Sequence, residues 1–321
     1  MCGSDRVTHN RAMRAVRSAG GVAAVTETAS PTADWPVLDV AAAGICGSDL
    51  TLVGWNLPVT LGHEIAGTVD GKAYCVEPTI RCGQCDQCLL GAPQRCRGTA
   101  PHGLIGVAFD GGMADRVAVP PDCLVPLPDG LPVSDASLVE PLAVGWHALR
   151  MVSAVPGERV LVVGGGAIGL LVVAAARAMG LEVDLDARHD HQRLAGERLG
   201  AGSPKGEYPV VVEAAGTDSA LKECVRRGAP AARIALVGID QGDRRLPGIA
   251  FTMNEMTMVG CNCYDNGARG HEFAQAAAAL AAAPEIAAAV ITHRFPLSEA
   301  PEAFRVAADR SAGAIKVVLE P

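Results

Sequence analysis

Residues 159–187 read RVLVVGGGAIGLLVVAAARAMGLEVDLDA, and this stretch decides the fold. A short apolar run (Val160–Val163) meets three consecutive glycines, an alanine- and leucine-rich stretch follows, and a second short run closes on Asp186 and Ala187. Strand, glycine turn, helix and strand together open a doubly wound parallel sheet. Gly164, Gly166 and Gly169, with Ala167 and Ile168 before the last, satisfy G-x-G-x-x-G in that setting. The first glycine permits a tight turn, and the second lets backbone approach a pyrophosphate. The third allows close helix–strand packing, and the helix N-terminus attracts phosphate. The pattern predicts a dinucleotide site.

The end of the second strand bears on which dinucleotide. An acid there binds the ribose of NAD, whereas a small residue followed by arginine suits the 2′-phosphate of NADP. The terminal position falls on Ala187, followed by Arg188, so NADP is expected over NAD; a one-residue slip onto Asp186 would restore NAD. Strands at 210–216 (VVVEAAG), 233–238 (RIALVG) and 256–261 (MTMVGC), with a helix from Ser219, continue the alternation. An alanine-rich helix from Glu272 to Ala283 follows.

Working outward, residues 13 to about 145 read differently. Short strands such as VLDVAAAGI and IAGTVDG are punctuated by Gly, Pro and Asp, the pattern of an irregular β-barrel-like domain. With 321 residues, 49% hydrophobic and 19% charged, the chain has room for two globular domains. Aromatics make up only 3%, so Ala, Val, Leu and Gly must fill the cores. A formal net charge of −8 argues against a nucleic-acid or anionic-membrane partner. The start, MCGSDRVTHNRAMR, lacks the apolar core of a signal peptide, and residues 1–12 are expected to be a disordered extension. The longest uncharged stretch, Val160 to Ala176, is too short and glycine-rich to span a bilayer comfortably. A soluble, cytoplasmic protein is expected.

Cys82, Cys85, Cys88 and Cys96 stand as C-x2-C-x2-C-x7-C in RCGQCDQCLLGAPQRC (81–96). Four soft thiolates this close fit a closed tetrahedral Zn²⁺ site, which leaves no open position for chemistry. Two disulfides are the competing reading, disfavoured in a chain with eleven cysteines and no export signal. Upstream stand GICGSD (44–49) and GHE (62–64), and downstream Glu140-Pro141-Leu142-Ala143.

Taken with the cysteine lobe, the glycine turn and the closing segments ITHRFPL (291–297) and AGAIKVVLEP (312–321), these motifs resemble the zinc-dependent medium-chain alcohol and polyol dehydrogenases. The similarity is to their sorbitol and threonine dehydrogenase branch and covers nearly the whole chain after Met13. It implies an α/β architecture, a GroES-like β-barrel catalytic domain (13–141 and 266–321) carrying the lobe 82–96, plus a Rossmann domain (142–265). It also implies two zincs per chain, one structural and one catalytic. Cys46, His63 and Glu64 would be catalytic zinc ligands, with Glu140 as a transient ligand or the partner of a zinc-bound water. Asp49 would orient a ligand, Ser48 would relay the alcohol proton, and Lys316 would be a further cofactor contact. Alternatively, Glu140 is a capping carboxylate before a helix at Val144.

The expected activity is hydride transfer between a secondary alcohol (polyol, cyclitol or sugar-like) or its ketone and NADP or NAD, in a homodimer or homotetramer. The alternatives are a zinc-independent quinone-type reductase and a non-catalytic nucleotide-binding scaffold. The chain departs from the resemblance in several places. Thr51 stands where many relatives carry a relay histidine, and the loop from Leu50 to Thr60, with Trp55 near its middle, is short. A hairpin shrinks to TVDGKAY (68–74), and residues 202–207 replace a crossover helix, which should leave the sheet edge exposed or covered by another subunit. Trp55, His102, Phe109 and Trp146 are candidate pocket residues. The cysteines outside the lobe and Cys46 are expected to be buried small hydrophobes.

Overall fold

The structure, a computed structural model, describes residues 12–31, 35–98, 103–239, 242–267 and 270–321. Residues 1–11 of the expected extension and His102 lie outside the described residues, while Ala12 already opens a strand. A hairpin of β1 (Ala12–Ala19) and β2 (Val22–Ala29) leads to β3 (Val37–Gly44), the short helix α1 (Asp49–Leu52), β4 (Glu64–Val69) and β5 (Lys72–Val76). The cysteine lobe with α2 (Asp86–Leu89) follows, then β6 (Arg116–Ala118) and β7 (Leu124–Pro126). After α3 (Val139–Met151) come β8 (Arg159–Val163), α4 (Ala167–Ala178), β9 (Glu182–Asp186), α5 (Asp190–Arg198) and β10 (Tyr208–Glu213). The series continues through α6 (Asp218–Arg227), β11 (Gly228–Leu236), α7 (Gly248–Met253) and β12 (Thr257–Gly260). It closes with α8 (Glu272–Ala282), α9 (Glu285–Val290), β13 (Ile291–Pro296), α10 (Ala300–Ala308) and β14 (Lys316–Glu320).

Five strands form a parallel sheet in the order β12-β11-β10-β8-β9. Its central strands are continuous apolar runs because helices cover both faces. Alternate residues of β8 and β10 point to opposite sides: Val160, Val162, Val210 and Val212 into one core, Leu161, Val163 and Val211 into another. β9 and β10 flank β8, so the chain reverses direction there and opens a ligand crevice at the strands' carboxyl ends. The second sheet is mixed, in the order β13-β14-β3-β4-β5-β7, with β6 also on β3. Asp70 (φ 49°) and Gly71 (φ 77°) close the shortened β4–β5 hairpin, whose strands still pair from Val69–Lys72 to Ile65–Val76. Positive φ at both central residues is what a two-residue turn of matching twist requires.

Two expectations change. The edge of β9 is partly closed by the loop that replaces the crossover: Leu185 N donates to Gly202 O (3.0 Å) and Gly202 N to Val183 O (2.9 Å). The Tyr208 hydroxyl donates to Asp184 and accepts from Lys205 N, both at 2.6 Å, with the Arg159 guanidinium 4.5 Å from its ring centre. Second, residues 272–290 sit between the two sheets. Phe273, Ala276, Leu280, Ile286 and Val290 lie in one core with residues of β8 and α4 and with Ala66, Cys75 and Val125 of the mixed sheet. Glu272, fully buried, meets His147 Nδ1 at 2.8 Å and Arg150 at 3.5 Å, docking α8 on α3. The chain rejoins the mixed sheet at β13, from Ile291. No helix among the described residues is long and apolar enough to cross a membrane.

Candidate active site

The four lobe sulfurs, of Cys82, Cys85, Cys88 and Cys96, all lie within 4.8 Å of one another and none is in a disulfide. Cys82 Sγ and Cys88 Sγ are 3.9 Å apart, far beyond a covalent bond. The Arg97 and Cys88 amides hold the Cys85 thiol below its ordinary value, while burial and the neighbouring sulfurs push Cys88 up to about 12. Four crowded sulfurs cannot all ionise without a cation between them, so the donor set fits Zn²⁺. A Cβ on Gly98 would come 2.6 Å from Cys82 Cβ, which is why glycine closes the loop.

The second cluster assembles Cys46 from the turn after β3, His63 and Glu64 from the start of β4, and Glu140 from the first turn of α3. Asp49, fully buried, accepts from Cys46 N at 2.9 Å and faces His63 Nδ1 at 3.5 Å. The other ring nitrogen, Nε2, lies 3.3 Å from Ser48 Oγ. Burial works against charging His63, but Asp49, Cys46 and Glu140 outweigh it and raise its basicity well above normal. Burial pushes Glu140 up to about 7, with Glu64 adding to the rise and His63 and Lys316 opposing it. Cys46, His63 and Glu140 are gathered more loosely than the lobe: among the described residues their ligand atoms do not all fall within 4.8 Å of one another.

Two sequence readings are corrected by this geometry. Glu64 is not free to be a ligand here, because both its oxygens accept from Lys316 Nζ, at 2.6 and 2.7 Å. Its carboxylate lies over Gly44, where any Cβ would collide with it. Lys316 points inward: its ammonium is buried and also donates to Ile45 O at 3.0 Å. Glu140 is not a cap, since the helix starts at Val139 and no side chain caps it. Trp146 packs into the core shared by α3 and α4, Trp55 stands exposed, and Phe109 packs on Trp35 at 6.0 Å. Cys75, Cys123 and Cys224 are buried as expected, whereas Cys261 and Cys263 are half-buried.

Sequence reasoning missed Tyr264. Its phenol is fully buried beside Glu140 and Thr79, and its ring meets Phe273 edge-on at 5.2 Å. A tyrosine is costly to bury, and this is one of three in the chain, which was the available signal.

The nucleotide turn lies at the carboxyl end of β8. Gly164 has φ 118°, and a Cβ there would approach Ala215 N to 2.8 Å. Gly169 packs against the Gly164 carbonyl, while nothing lies within 4 Å of a Cβ built on Gly166, so that position is open to an approaching pyrophosphate. Ala167 and Ile168 form the first turn of α4 behind it. A Cβ on Gly165 would meet Ala187 at about the same point as Gln192, so Ala187 faces the turn. Asp186 is on the other face of β9, where its charge reaches Cys224 and Arg226 of α6. Arg188 is exposed beyond Ala187, its carbonyl held by Arg193. Gly145 of α3 packs on Leu171 and Val172 of α4, which ties the Glu140 helix to the nucleotide helix.

Comparison with known proteins agrees with this arrangement. The alcohol dehydrogenase GroES-like domain profile matches residues 32–129. An uncharacterized zinc-type alcohol dehydrogenase-like protein of Haemophilus influenzae is 30% identical over 315 residues, spanning 88% of this chain and 90% of that protein. L-galactonate-5-dehydrogenase of Escherichia coli K12 is 29% identical over 84% of this chain and 86% of its own length. The crystal structure of a putative zinc-binding dehydrogenase from Sinorhizobium meliloti 1021, bound to NADP, superposes with a TM-score of 0.85 at 29% identity, covering 97% of this chain and all (100%) of that one. With its mixed β domain, its Rossmann sheet and these relatives, the chain belongs to the zinc-type alcohol dehydrogenases of the medium-chain family, oxidoreductases that work with zinc and a nicotinamide cofactor.

Proposed function

We propose that this chain oxidises a secondary alcohol of a polyhydroxy compound, a polyol or sugar acid, or reduces the matching ketone, with NADP preferred over NAD. One observation carries the reading: Cys46, His63 and Glu140 converge from three distant segments in a buried spot whose only nearby lysine, among the described residues, is already held by Glu64. Sulfur, imidazole and carboxylate donors gathered in one place fit Zn²⁺. When bound there, the ion would polarise the substrate oxygen and make its proton easier to lose.

The chain's own residues do the rest. Asp49 fixes the Cys46 turn and faces the His63 ring with its charge. Lys316 holds Glu64 away from the donors. Ser48, within reach of His63, offers a hydroxyl through which the substrate proton can move, and Glu140 offers a carboxylate near neutrality. The open face of Gly166 and the α4 N-terminus take the pyrophosphate, so that the nicotinamide can receive the hydride. The lobe cysteines would hold the second, structural zinc. Ala187 turned toward the glycine turn, with Arg188 beyond it, leaves room and positive charge for a 2′-phosphate. A cytoplasmic homodimer or homotetramer is the assembly that suits this reading.

A panel of polyols, cyclitols and sugar acids, assayed with NAD and NADP for wild type and Ala187→Asp, tests it. Wild type should favour NADP by about tenfold or more in kcat/KM, and the added acid should reverse the order by repelling the 2′-phosphate. Equal or better turnover with NAD in wild type would remove the cofactor assignment; no turnover of any polyhydroxy compound would remove the substrate class.

A further inference from the structure

Three successive carbonyls at the end of β9 find their partners in two different places. Asp186 O accepts from Gly164 N of the glycine turn at 2.9 Å. Ala187 O and Arg188 O both accept from one nitrogen, Nη1 of Arg193, at 2.7 and 3.0 Å. In an extended strand successive carbonyls point apart, so a single donor that reaches two of them marks a bend in the chain. The other terminal nitrogen of the guanidinium, Nη2, donates to Asp190. Arg193 stands in the first turn of α5 beside Gln192, whose side chain accepts from His189 N at 3.5 Å. The start of α5 thus reaches back and shapes residues 187–189.

The two arginines differ in what they already hold. Asp190 forms an ion pair with Arg193, and Glu197, one helical turn further on, lines the same cleft of about 200 Å³. With its terminal nitrogens on two carbonyls and a carboxylate, Arg193 has little left to offer an anion. Arg188 is the opposite case: its side chain is exposed and makes no hydrogen bond or ion pair with any described residue. A free guanidinium forks well onto a phosphate, provided that its backbone points it there. That direction is set at the bend between Ala187 and Arg188.

We propose that Arg193 is a positioning residue for cofactor choice: it folds the end of β9 so that Arg188, and not Arg193 itself, meets the 2′-phosphate of NADP. This rests on the preference for NADP proposed above. The two bonded carbonyls are not deeply buried, so water can take over their hydrogen bonds when the guanidinium is removed. What goes is the bend, not the fold. NAD has no 2′-phosphate, draws nothing from Arg188 and so depends far less on Arg193. The effect falls on the ratio of the two cofactor affinities, which a general loss of structure would leave alone.

Dissociation constants of NADP and NAD, measured by calorimetry on the zinc-loaded enzyme at one ionic strength, test the role in Arg188→Met, Arg193→Met and the double variant. Thermal melts on the same samples report the fold. Arg188→Met should weaken NADP about tenfold and leave NAD within about twofold. Arg193→Met should weaken NADP at least about fivefold, with NAD within about threefold. Because Arg193 acts through Arg188, the double variant should bind NADP at most about twofold more weakly than Arg188→Met alone. Arg193→Lys keeps the charge but not the planar fork; it should follow Arg193→Met, and it decides the matter if the methionine variant melts early. Unchanged NADP affinity in Arg188→Met or in a folded Arg193 variant would overturn the positioning role, and so would losses that multiply in the double variant. A wild type that binds NAD as tightly as NADP would instead remove the cofactor preference itself, and the role of Arg193 with it.

Discussion

The two cysteine-containing clusters solve opposite problems with overlapping ligand chemistry. The lobe draws four sulfurs from fifteen consecutive residues, 82–96, and gathers them all within 4.8 Å. The pocket draws Cys46, His63 and Glu140 from three separate elements and holds them further apart, with Asp49 and the Glu64–Lys316 pair managing the surrounding charge. Local spacing can close a metal site without help from the rest of the fold. An open site, where a substrate must enter, has to be held from outside by buried groups that do not react.

The largest expected effect breaks the two regions apart. Cys46→Ser should lower turnover by about 10³-fold or more while keeping one zinc per chain and a near-normal Tm. Cys85→Ser should do the reverse, losing a zinc and several kcal/mol of stability, with activity following the folded fraction. Metal content, thermal melts and turnover on the same samples decide the matter; a Cys85→Ser protein that is folded yet inactive would merge the two roles.

A smaller effect concerns the charge-holding pair. Lys316→Met strands the buried Glu64 carboxylate and should cost about 3–5 kcal/mol in urea unfolding, whereas Glu64→Gln with Lys316→Met should recover much of it. Recovery in the double variant is the sign that the pair balances charge; equal losses in the single and double variants would mean that Lys316 matters for packing alone.

The smallest effect separates lobe thiols from lone ones. Cys75, Cys123 and Cys224 have raised pKa values, chiefly from burial, Cys123 to about 12, and they bind no metal in either cluster. A thiol whose folded value exceeds its unfolded value of about 9 loses its proton on unfolding, so stability is full below pH 9 and falls above it. Each such thiol should contribute a slope of about 1.4 kcal/mol per pH unit between roughly 9 and 12. Cys123→Ala should reduce that slope in alkaline urea titrations, and a slope unchanged from wild type would contradict the burial argument.

What could be read from the sequence was local. The glycine turn, the strand alternation and the lobe depend on residues within about thirty positions, and each appears where its spacing implied. What escaped was long-range. Lys316 lies 252 residues from Glu64 and His271 lies 194 from Glu77, and periodicity carries no sign of such pairs. The alanine-rich α8 gave no clue to its docking partner, because its apolar face suits either core; Glu272 meeting His147 across 125 residues seats it on α3. Glu64 was misplaced for the same reason, since the residue after His63 is near the pocket in sequence, but its direction is set by Lys316.

The trimmed connection after β9 has a practical consequence. There the sheet edge is finished by one loop pinned through Tyr208 and Arg159 to Asp184, with a single bridge at Gly202 in place of a full neighbouring strand. That loop lies beside Ala187 and Arg193, lining the same cleft. Residues could therefore be inserted at 203–206 without unzipping any strand pair. The place where the sheet edge is finished most thinly is also where a protein engineer can rewrite cofactor choice with least disturbance to the rest.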